Sequence, residues 1–233
     1  MRFLCTLAAC ALRISAIVLQ TGLPVVLGVV LFAGSAEALT TTYTDSSTFL
    51  ADLPGLPTTE DFESLTAQDP VGTLGDITFS ESVPGESLMV TDLWDQTTSG
   101  GALSLGLDNL DEALQDGDVL SLAFASPVNA LGLFVITSDA ALADEILLTT
   151  SVGTAYNSAT EETILGDGGI VYFVGLISDT SFSSASLEFA DDAEINFVYN
   201  VDDIVTAIPE PGTFVLLAAA LLGLTAMGRR RLR

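Results

Sequence analysis

Between Arg13 and Arg229 the chain contains no lysine, arginine or histidine. Both cysteines, Cys5 and Cys10, precede that stretch. A fold assembled from it can have no ion pair between side chains and no disulfide. Its stability must come from apolar burial and from hydrogen bonds. The means are present, since 49% of the 233 residues are apolar and only 16% are charged. That balance is too apolar for a disordered acidic tail. The formal net charge of −25 excludes nucleic acid as a partner, because phosphate binding needs clustered Lys and Arg.

The missing residue types also narrow the chemistry. Without His, Lys, Arg or Cys in residues 39–208 there can be no Ser-His-Asp triad, Cys-His pair, Schiff base, arginine clamp or histidine zinc site. No glycine-rich phosphate loop follows a strand. A carboxylate pair of the glycosidase type is the one catalytic device left. A chain this acidic contains such pairs by chance, so we expect no enzyme and no catalytic residues.

The arginines mark the two ends. Arg2 and Arg13 precede the apolar stretch Ile14–Gly34, and Ala36-Glu37-Ala38 supplies small residues at −3 and −1 of a cleavage site. This predicts a signal peptide over 1–38, cut by signal peptidase after Ala38. Too little apolar sequence precedes Cys10 for a lipoprotein signal. At the other end stand Pro209-Glu210-Pro211, an uncharged run from Thr213 to Met227, and the cluster Arg229-Arg230-Arg231-Leu232-Arg233. The run predicts a short transmembrane helix over about 213–228, its arginines retained on the cytoplasmic side. Both ends therefore place residues 39–208 outside the cytoplasm. Two prolines without N–H groups keep the tripeptide extended and apart from the following helix, as a processing site requires.

This C-terminal order of Pro-Glu-Pro, apolar helix and arginine cluster resembles the PEP-CTERM sorting signal of Gram-negative bacteria. The resemblance implies processing by an exosortase near Pro209, Glu210 and Pro211. It further implies an inner-membrane intermediate and delivery to the cell surface or to an extracellular, biofilm-type matrix rich in exopolysaccharide.

The intervening segment 39–208 reads as one domain of short strands. Leu120, Leu122 and Phe124 alternate, as do Leu131, Leu133 and Val135, with Gly132 a close-approach or bulge position. Ile195, Phe197, Tyr199 and Val201 form a late strand. Turn chemistry at Ser99-Gly100-Gly101, Asp116-Gly117, Ser126-Pro127 and Ser178-Asp179 separates the runs. A short helix is expected over Ser46–Leu53, capped by Ser46 or Ser47, and a helical turn over Asp108–Gln115. The fold class is all-β, a jelly-roll-like β-sandwich.

An early Asp61-Phe62-Glu63 and a late Val201-Asp202-Asp203-Ile204 are similar to jelly-roll domains of the MAM and carbohydrate-binding-module kind. Gly175-Leu176-Ile177-Ser178-Asp179, followed by Phe182 and Leu187, resembles the core of many PEP-CTERM ectodomains. The absence of cysteine departs from animal MAM domains. The resemblance implies that the first and last strands lie side by side and that their acids hold a structural Ca2+. A hard cation takes several oxygen ligands. Because side chains alternate, Asp202 and Asp203 cannot both face one site without a bulge. Glu63 and Asp202 are the preferred ligands, with Asp203 or Asp61 as alternates. Asp108–Glu112 and Asp116–Asp118 do not have EF-hand spacing and read as polar turns. Trp94, the only tryptophan, is either a sugar-binding platform on a loop or a core residue.

Overall fold

The computed structural model describes residues 38–94, 101–190 and 197–208. Within them the fold is all-β with one short helix. In chain order the main elements are β1 (Thr40–Tyr43), α1 (Ser46–Asp52), β2 (Pro57–Glu60), β3 (Thr73–Leu74), β4 (Ile77–Glu81), β5 (Leu88–Thr91) and β6 (Ser104–Leu107). Then follow β7 (Leu114–Gln115), β8 (Val119–Thr137), β9 (Ile146–Thr150), β10 (Gly153–Tyr156), β11 (Thr163–Ile164), β12 (Ile170–Phe189) and β13 (Val198–Ala207). The predicted signal and membrane segments, with Pro209, Glu210 and Pro211, lie outside the described residues. Among the described residues no helix is long and apolar enough to cross a membrane.

Two long antiparallel strands, β8 and β12, organise the sheet. They pair from Ile170↔Thr137 to Glu188↔Val119, with register shifts between Ile177 and Ser184. On one side of that irregularity, residues 120–124 of β8 pair with β4, and residues 185–189 of β12 pair with β9. On the other side, residues 130–137 of β8 pair with β13, and β12 pairs with β1 and β11. The bulged region lets the same two strands serve both halves of the sheet. The turns expected at Ser126-Pro127 and Ser178-Asp179 are therefore not chain reversals. Pro127 lacks an N–H, and it falls where β8 leaves the partners of its first half, so it interrupts little pairing there.

The two halves differ in burial. In Val119–Phe124 exposure alternates, with Leu120, Leu122 and Phe124 buried. Residues 128–137 are almost continuously buried because both faces are covered. Leu131, Leu133 and Val135 join the main core together with Leu120, Leu122, Tyr172, Val174 and Leu187. Ala130 and Phe173 form a smaller cluster with Phe49 of α1.

That helix is a lid whose seat is made of glycine. Gly132 and Gly175 are cross-strand partners. A Cβ on Gly132 would stand 2.8 Å from the Phe49 ring and 2.6 Å from that of Phe173, and one on Gly175 would stand 2.9 Å from Phe173. The two missing side chains thus form a slot for Phe49, which is fully buried. Gly132 is a close-approach position, as its place among alternating apolar residues suggested. The helix cap is Asp45 rather than Ser46 or Ser47. Its carboxylate accepts from Thr48 N at 2.7 Å, from Ser47 Oγ at 2.8 Å and from Thr48 Oγ1 at 2.6 Å. Those bonds hold its pKa below the ordinary aspartate value, the Thr48 hydroxyl contributing most. Ser46 instead donates to Glu162 Oε1, from its hydroxyl at 2.5 Å and its N–H at 3.3 Å. The helical turn expected over Asp108–Gln115 is a hydrogen-bonded turn around Asn109 that leads into β7. There the Asn109 side chain supplies the bonds that a helix would have supplied.

Candidate functional site

The last strand joins the domain to its C-terminal signal. β13 is central. It pairs with β8 on one side and with β2, β6 and β7 on the other. Its final residue, Ala207, pairs with both Pro57 and Ala130, and the next residue, Ile208, is half exposed. The chain therefore passes from a fully paired strand to Pro209 within two residues. At the other end Ala38 is exposed, two residues before the start of β1 at Thr40.

The pairing of β2 with β13 sets early and late segments side by side, with Glu60 opposite Ile204. Asp61 follows that rung and Asp203 precedes it. Between Asp202 and Val205 the register of β13 against β8 slips by one residue. Asp203 takes a positive φ of 47°, and Phe62, two residues beyond the end of β2, one of 57°. This is the departure from alternation that two adjacent aspartates need to approach one site.

The four predicted ligands are used differently. Asp202 is the only fully buried carboxylate among the described residues, and its Oδ1 accepts the Asp203 N–H at 2.7 Å. Asp61 Oδ1 accepts the Glu63 N–H at 3.2 Å. The Glu63 carboxylate accepts the Leu103 N–H at 3.0 Å and lies against Gly101, where a Cβ would stand 1.8 Å from it. Glu63 thus ties its loop to the start of β6. Among the described residues no group of three or more acids is placed to hold a metal ion. A cation at this corner would need backbone carbonyls and water to complete its shell.

Trp94 is half-buried. Its indole N–H donates to Asn200 Oδ1 at 3.1 Å, and its ring sits 3.0 Å from where a Gly169 Cβ would be. Asn200, fully buried on β13, spends its amide on the carbonyls of Glu112 at 2.9 Å and Leu105 at 3.4 Å. Thr91 Oγ1 completes this network by donating to Glu112 Oε2 at 2.8 Å.

Sequence reasoning missed one surface. On the outward face of the sheet half built from β4, β8, β12, β9 and β10, successive register partners are Ser80, Ser121, Ser186, Thr149 and Thr154. That is an unbroken row of hydroxyls across five strands, about 19 Å at the usual strand spacing. A parallel row runs Thr73, Thr78, Ala123, Ser184. Hydroxyls touch between Thr149 and Thr154 at 3.3 Å and between Thr73 and Thr78 at 3.1 Å. Neither row contains a charge, although the domain has no basic residue to offset its acids. The legible signal was the polar phase of the alternation, where Ser and Thr recur instead of Asp and Glu.

Two solved structures show limited similarity. One is the K2 cleaved adhesin domain of Lys-gingipain, 14% identical with a TM-score of 0.38, covering 66% of this chain and 100% of that one. The other is the catalytic domain of a GH87 alpha-1,3-glucanase in complex with tetrasaccharides, 17% identical with a TM-score of 0.32. It covers 60% of this chain, which spans only 29% of that one. No match is found among curated proteins. Residues 207–231 match the PEP-CTERM protein-sorting motif, beginning at the last residue of β13. The chain thus carries a PEP-CTERM sorting motif directly behind an all-β domain, which marks it as an exported, membrane-transiting exosortase substrate of the Gram-negative kind.

Proposed function

We propose that the protein is a structural or interaction component of the cell surface or extracellular matrix, acting through its β-sandwich without catalysis. The observation that carries this reading is the direct passage from β13 into the sorting motif, which leaves one folded domain as the product of processing. Exosortase cuts near Pro209–Pro211, and signal peptidase cuts after Ala38. Deleting Pro209–Arg233 is expected to abolish processing and surface delivery, followed by cell fractionation and intact mass. Unchanged size and location would reject the reading.

A second reading, a calcium-stabilised carbohydrate-binding module, is favoured by the uncharged hydroxyl rows. A neutral polysaccharide has matching donors and acceptors and is not repelled by the acids elsewhere. Ser186→Glu, at the centre of the longer row, is expected to weaken retention on neutral polysaccharide without changing the melting temperature. Equal retention of variant and parent excludes this face. The calcium part rests on the burial of Asp202 at the bulge beside Asp203. Coincident melts in calcium and in chelator would remove it. Trp94, its donor engaged by Asn200, is the lesser candidate for sugar contact.

A further inference from the structure

The backbone N–H of Leu39 donates to Asp179 Oδ1 at 3.0 Å, and the Asp179 N–H donates to the Leu39 carbonyl at 3.2 Å. This closes the β1–β12 ladder one step beyond Thr40↔Ser178. Thr40 is anchored on both sides, its hydroxyl 3.0 Å from the Val152 carbonyl and 3.2 Å from Ser178 Oγ. The Leu39 side chain is 72% exposed, so no apolar contact accounts for its placement. Among the described residues β1 pairs only with β12, so this end of the strand is a sheet edge.

We propose that removal of the signal peptide turns this hydrogen bond into an ion pair, with the new α-ammonium of Leu39 received by the Asp179 carboxylate. The inference rests on cleavage after Ala38. Hydrolysis breaks the bond between the Ala38 carbonyl carbon and the Leu39 nitrogen. Water's oxygen stays with Ala38, which departs as a carboxylate on the signal peptide. The Leu39 nitrogen gains one hydrogen from water and, near neutral pH, the proton released by the new acid. Where one N–H pointed at Asp179, an –NH3+ with three donors now stands. Charge-assisted bonds are about twice as strong as neutral ones.

Residues 39–208 contain no side-chain cation, so this ammonium is the one fixed positive charge that maturation adds to them. Asp179 is the charged group facing the amine from β12. The turn beneath Thr40, Ser151–Thr154, has none, and β1 offers only Tyr43 at its far end. An amine beside a carboxylate holds its proton above the ordinary range of about 7.7–8.0. The stabilisation is therefore complete below that range and is lost as pH rises through the raised value. Processing would thus tighten the edge strand that carries the new terminus, and the precursor lacks this clamp.

The absence of lysine supplies the test, because the α-amine is the only primary amine of the secreted protein. The protein is purified from an exporting host, and its intact mass identifies the N-terminus. The rate of acetylation is then followed against pH for the parent and for Asp179→Asn, which keeps the acceptor oxygen and removes the charge. The expected midpoint is about half a pH unit higher in the parent. Acetylation should lower the melting temperature of the parent and leave that of Asp179→Asn unchanged. A mature terminus at any residue other than Leu39 overturns the inference at the cleavage step. A Leu39 terminus with coincident midpoints overturns it at the ion pair.

Discussion

At the scale of single residues, stability depends on a few places where a side chain is missing. Phe49 lies against Gly132 and Gly175, and a methyl group on Gly132 would collide with two aromatic rings. Gly132→Ala is expected to cost about 1–3 kcal/mol through overpacking. Phe49→Ala, by emptying the slot, is expected to cost about 3–5 kcal/mol. The double variant should lose less than the sum, because the methyl then enters space the ring has left. Urea denaturation followed by the emission of Trp94 reads all three. Asp45 behaves differently. Its carboxyl is held below the ordinary range by Thr48 and Ser47. Its cap therefore stabilises α1 above the unfolded pKa and is lost as pH falls through the lowered folded value.

At the scale of elements, the long strands and the last strand decide the architecture. β8 and β12 run through Pro127 and through Ser178–Ser183, and so belong to both halves of the sheet. Turn-forming residues there produce a bulge because neighbouring strands on both sides continue to pair. β13 is the last strand to leave the ribosome and yet a central one, with partners on both edges. A chain ending at Phe197 is expected to remain unfolded. One ending at Ile208 should melt like the processed protein. Circular dichroism of the two secreted forms distinguishes these outcomes, and a folded short form would show that β13 is dispensable. The sorting motif therefore follows a domain that cannot complete its sheet until residue 207 has crossed the membrane.

At the scale of the whole molecule, charge is the governing quantity. Of 31 acidic residues only Glu37 and Glu210 lie outside residues 39–208, which leaves 29 acids with no base among them. An average domain of that length carries about 20 basic residues. The resulting self-repulsion favours conditions that screen or neutralise it. Asp118 is one place where this acts. Burial raises its pKa, the Gln115 N–H opposes that shift, and Glu86 and Glu81 add to it. The folded state thus binds that proton more tightly than the unfolded state does. This contribution grows as pH falls through the raised folded value towards the ordinary one. The melting temperature is expected to rise with sodium chloride, and to rise as pH is lowered from 7 to about 5. Calorimetric scans across both variables check this. A melting temperature indifferent to salt would show that the carboxylates are already balanced by dipoles within the fold.

The all-β class and the sorting motif were legible in the sequence, because each is written locally. Alternation of Leu120, Leu122 and Phe124 needs only period two, and Pro-Glu-Pro before an apolar run needs only order. The sequence also determined, through absent residue types, that no salt bridge between side chains or disulfide could hold residues 39–208. Tertiary structure alone decided which strands are shared between the halves. It also decided that Asp45 rather than Ser46 or Ser47 caps the helix, and that Gly132 and Gly175 meet to admit Phe49. The hydroxyl row from Ser80 to Thr154 and the approach of Leu39 to Asp179 belong to the same class. Each joins residues far apart in the chain, and register between distant strands is set by the packing of the whole core, which no local pattern specifies.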